Sequence, residues 1–71
     1  MEKLYEKLEE ILEEDIHDED ILEEFEEWDS LSILTLISFI DKEYGVNLYT
    51  SDIKKTKTVK DLTDLIKAKQ G

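Results

Sequence analysis

The sequence has no cysteine, no proline, no arginine, one histidine and only two glycines in 71 residues. Without cysteine, neither a disulfide framework nor a thiolate metal site can hold the chain together, so stability must come from packed helices. No Pro-rich, Gly-rich or low-complexity stretch and no internal repeat divides it, so residues 1–71 read as a single domain. A chain this short buries only about 60% of its unfolded surface, which leaves little room for an internal catalytic cavity and puts function at the surface. The longest apolar stretch is interrupted by Ser32, Thr35 and Ser38, and no apolar signal core opens the chain. Neither a membrane span nor a secretory leader is expected, and the location expected is the cytoplasm. The lone His17 lies among carboxylates with no nucleophile beside it, a pattern that offers no catalytic constellation; the chain is not expected to be an enzyme.

Acid is abundant instead. Residues 1–29 hold fifteen Asp and Glu against two Lys, a charge of -13, whereas residues 30–71 hold five against seven, a charge of +2. The total of -11 lacks the clustered cations that nucleic acid requires. Such polarity steers the molecule toward basic partner surfaces, although many of these carboxylates need do no more than keep it dissolved. Asp15, Asp18 and Asp20 do not meet the EF-hand spacing, and the glycine and closing Glu are missing, so no dedicated metal site is expected beyond diffuse cation binding.

Periodicity predicts an all-α protein, a small four-helix bundle with three longer helices and one short one. Leu4, Leu8, Ile11 and Leu12 recur at helical spacing and predict an amphipathic helix over 2–14. Residues 15–29 have no sustained period; Ile16, Ile21, Leu22, Phe25 and Trp28 predict a long loop pinned to the core, the kind of loop that usually serves function. Residues 30–44 are apolar around most of the helical cylinder and predict the central helix, which Gly45 ends and Val46 closes. A short turn at 51–55, capped by Thr50 or Ser51, precedes a last helix that Thr58 and Asp61 open in a near capping-box pattern. Lys67 and Lys69 suit its C-terminal dipole. Tyr5, Tyr44 and Tyr49 are expected at the bundle's edges with their hydroxyls in water.

In chain order, the pieces Asp29-Ser30-Leu31, Glu43-Tyr44-Gly45-Val46, Ser51-Asp52-Ile53 and Thr58-Val59-Lys60-Asp61-Leu62 resemble the acyl carrier protein family over essentially the whole chain. The resemblance implies that Ser30 receives 4′-phosphopantetheine from coenzyme A through a magnesium-dependent phosphopantetheinyl transferase. The arm's thiol then carries acyl groups as thioesters, and partner enzymes do the chemistry. Asp29 and Leu31 flank the attachment serine, with Asp29 an accessory in recognition by the transferase and its magnesium. A phosphate at the head of helix 30–44 would also meet free backbone N–H groups and the positive end of the dipole. Family members of this size imply a monomer.

Housekeeping fatty-acid carriers place acid where this sequence has Ser32 and Thr35, and a small or aliphatic residue where it has Trp28. The resemblance is therefore to specialised discrete carriers served by a dedicated acyl-activating ligase and acyl-transfer enzymes. Trp28, Ser32, Leu34, Thr35 and Phe39 are the residues expected to meet partners, with Phe39 and Leu34 as an apolar docking patch or, more plainly, as core. An aminoacyl or peptidyl carrier shares the fold and the arm. A non-catalytic acidic interaction module is the alternative from another class, and it leaves Ser30 as nothing more than a helix cap.

Overall fold

The computed structural model describes residues 2–70, and four helices account for most of them: α1 Glu2–Leu12, α2 Ser30–Tyr44, α3 Thr50–Lys54 and α4 Val59–Gln70. A 3₁₀ turn, Leu22–Glu24, interrupts the long α1–α2 loop. The described residues contain no strand beyond one isolated antiparallel bridge, Ile21 with Thr58. None of the helices is long and apolar enough to cross a membrane.

Each helix contributes its periodic apolar face to one core. Leu4, Leu8 and Leu12 of α1 meet Ile33, Leu36 and Ile40 of α2, with Ile53 of α3 and Val59, Leu62 and Ile66 of α4. Leu22, Val46 and Leu48 seal it from the connecting segments. α2 is the hub, packed against both α1 and α3.

The helix boundaries differ from the sequence reading where backbone detail decides them. α1 stops at Leu12, two residues short of the expected end at 14, because Glu13 takes a left-handed conformation (φ 57°) while its N–H still bonds the Glu9 carbonyl at 2.8 Å. This is the helix-ending position that glycine usually fills, here occupied by a residue with a Cβ. α2 has the expected bounds, and Gly45 closes it in the left-handed region (φ 65°), its N–H on the Asp41 carbonyl. α3 begins one residue early, with Tyr49 rather than Thr50 or Ser51 in the cap position; the Asp52 carboxylate reaches back to the Tyr49 N–H at 3.0 Å. α4 opens with the expected reciprocal pair: Asp61 N–H donates to Thr58 Oγ1 at 3.1 Å and Thr58 N–H to the Asp61 carboxylate at 3.2 Å.

The loop over 15–29 is fastened by its backbone as well as by side chains. Val59 N–H donates to the Asp20 carbonyl and Lys60 N–H to the Asp18 carbonyl, both at 3.0 Å, while Leu22 N–H donates to the Lys57 carbonyl at 2.9 Å. Loop carbonyls thus satisfy first-turn N–H groups of α4 that have no partner within the helix. Leu22 is fully buried and Ile16, Phe25 and Trp28 pack on the core's edge, but Ile21 stays 42% exposed, contrary to expectation, because its backbone pairing turns it outward. Tyr49 is also largely exposed rather than filling an edge, and Tyr5 donates its hydroxyl to Asp18.

Candidate functional site

Ser30 is the first residue of α2, and the structure assigns the cap to its neighbour. The Asp29 backbone is extended (φ -133°, ψ -175°), its carbonyl accepts from Ile33 N–H, and its carboxylate accepts from Ser32 N–H at 2.9 Å. That hydrogen bond, made by the charged form, holds the Asp29 carboxyl below the ordinary carboxylate range. The Ser30 hydroxyl therefore has no part in capping, and Ser30 is exposed. Its explanation as a mere N-cap is lost.

The expected partner residues sort around the α2 axis. Leu31 and Leu34 stand 73% and 56% exposed, which corrects the reading of this helix as buried nearly all round. Thr35 lies beside them, exposed, its hydroxyl on the Leu31 carbonyl at 3.0 Å. Ser32 is half-buried and donates its hydroxyl to the Glu27 carbonyl, tying the end of the loop to α2. Phe39 is half-buried against the core, edge-to-face with Tyr44 at 6.2 Å between ring centroids and 5.8 Å from the Lys7 ammonium. Nine residues at 3.6 per turn put Phe39 about 180° around the axis from Ser30, on the flank facing α1, and it forms no patch with Leu34.

Trp28, Asp29 and Ser30 do converge, in a cleft of about 250 Å³ whose other walls are Glu23, Ile33, Lys54 and Thr56. The last four are residues that sequence reasoning missed. Lys54, at the end of α3, lies twenty-four residues from Ser30, and only the packing of α3 on α2 brings it there. The one hint in the sequence is the change of charge sign after Ser30. His17 sits apart in the loop, its ring 3.5 Å from Asp20 and its side chain mostly exposed.

Ser30 thus stands exposed at the head of an apolar helix, with its neighbour supplying the cap. The family model for the phosphopantetheine attachment site matches residues 2–66. The chain belongs to the phosphopantetheine-bearing acyl carrier family. It is similar to the solution structure of holo acyl carrier protein from Geobacter metallireducens, at 27% identity and a TM-score of 0.74, over 96% of this chain and 82% of that one. The fold is the acyl-carrier fold, the cofactor is a covalent 4′-phosphopantetheine, and the carrier is no catalyst.

The residues present fit that group. A phosphodiester requires an accessible hydroxyl and tolerable electrostatics; the first turn of α2 offers the positive end of a 15-residue helix, and Lys54 offers a cation across the cleft.

Proposed function

We propose that Ser30 is the attachment point and that the carrier presents acyl groups, as thioesters on the arm, to enzymes of a specialised pathway. The observation that carries this reading is the division of labour between Asp29 and Ser30: the carboxylate holds the helix end, which leaves the hydroxyl exposed for chemistry. In loading, Ser30 Oγ bonds to the phosphorus that carries the pantetheine in coenzyme A as the diphosphate P–O bond breaks; adenosine 3′,5′-bisphosphate leaves with the electron pair of that bond, and the serine proton passes to a base of the transferase. Once bound, the group supplies a flexible thiol that exchanges acyl chains. Asp29 fixes the helix start from which Ser30 projects and presents a negative charge beside it for the magnesium-bound substrate.

Leu31 and Leu34 support a partner-docking role, since two large apolar side chains left in water next to a modification site form a surface that only a partner would cover. Neutral Ser32 and Thr35, where housekeeping carriers are acidic, support a dedicated ligase rather than a fatty-acid synthase as that partner. The carrier works as a monomer on this reading. The test is acylation of the loaded protein by candidate acyl- and aminoacyl-activating ligases. Transfer of a fatty or small carboxylic acid supports the acyl reading, and transfer of amino acids alone replaces it with the aminoacyl carrier.

A further inference from the structure

We propose that the cleft between Trp28 and Lys54 parks the proximal part of the prosthetic arm, with Lys54 as the electrostatic anchor of its phosphodiester. The inference rests on Ser30 being the attachment point. Ser30 is one of the residues lining the cleft and is exposed, so a group attached there begins at the cleft's edge. Charge selects the direction the group takes. Glu23 and Asp29 also line the cleft, and residues 1–29 carry -13, so a phosphodiester is repelled from the loop side. Lys54 is the one cation on the lining and forms no ion pair among the described residues, which leaves its ammonium available. Next to the phosphate, the arm carries a carbon with two methyl groups, and the cleft places Ile33 and the half-buried Trp28 ring beside Ser30 to cover such a group. At about 250 Å³ the cleft falls below the roughly 300–1,000 Å³ of sites that enclose whole ligands. It holds the first part of the arm and leaves the thiol outside, so a parked arm stays open to acylation at a fixed exit point.

Trp28 is the only tryptophan in the chain and therefore reports on the cleft. The experiment compares quenching of its fluorescence by acrylamide, a neutral probe, before and after loading from coenzyme A, in the parent protein, in Lys54→Gln and in the control Lys60→Gln, with intact mass recording the extent of loading. Loading is expected to shield Trp28 in the parent and in Lys60→Gln. In Lys54→Gln the shielding falls, by up to about fivefold in the ratio of parked to free arm, the most an exposed ion pair supplies. High salt is expected to reduce shielding in the parent in the same sense. Full loading with no change in Trp28 quenching, or equal shielding in Lys54→Gln and the parent, would overturn the parked arm while leaving Ser30 as the attachment point. Absence of any mass gain would remove both.

Discussion

At the scale of single residues, three positions at helix ends carry clear consequences. Asp29 caps α2 through its ionised carboxylate, and the Asp61 carboxylate completes the capping pair of α4 by accepting from the N–H groups of Thr58 and Lys57; both carboxyls titrate below the ordinary range. A depressed pKa stabilises the fold above the unfolded value of about 3.9, and that contribution is lost as pH falls below it through the folded value. Melting temperature should therefore decline on acidification below about pH 4. The decline should be shallower in Asp29→Asn and Asp61→Asn, which lack the titrating group but keep a capping side chain. Glu13 presents the opposite case, a side chain in a left-handed position that disfavours it. Glu13→Gly relieves steric strain but adds freedom to the unfolded chain, for an expected net gain of about 0.5 kcal/mol, measurable by denaturant melts.

At the scale of elements, α2 divides its circumference between structure and display. Ile33, Leu36 and Ile40 face the core, Phe39 faces α1, and Leu31 and Leu34 face water. Phe39→Ala is expected to lower stability by about 1–2 kcal/mol, as for a half-buried aromatic, without altering loading by the transferase. Leu34→Ser should leave the melting temperature nearly unchanged and slow acylation by the cognate ligase. Measuring both quantities on both variants separates packing from docking. The bounds of α2 were legible in the sequence, because a cap residue, a dense apolar period and a terminal Gly45 all agree there. The exposed Leu pair was not legible, since composition around a helix cannot say which apolar face lacks a neighbour. Nor could local pattern reveal the pairing of Asp18, Asp20 and Leu22 with the start of α4, because it joins backbone groups from distant segments whose side chains carry no signal of it.

At the scale of the whole molecule, the four helices and their order were readable from periodicity and turn residues, and Ser30 was singled out by its motif as the serine now proposed to bear the arm. The cleft around it was not, because Glu23, Ile33, Lys54 and Thr56 come from three segments and meet only when the core forms. Charge distribution is a property of the same scale. With -13 concentrated in α1 and the loop that leads to Ser30, association with a basic partner enzyme should slow and weaken as ionic strength rises, as stopped-flow binding at several salt concentrations would show. Beneath all of this lies the claim that Ser30, exposed and excused from capping, bears the arm. The most direct measurement is intact-mass spectrometry with peptide mapping after incubation with coenzyme A, magnesium and a broad-specificity phosphopantetheinyl transferase. One phosphopantetheine on Ser30 is expected, and none on a Ser30→Ala variant that melts within about 0.5 kcal/mol of the parent, since it loses no cap. An unmodified folded parent, or modification at another residue, would contradict the account.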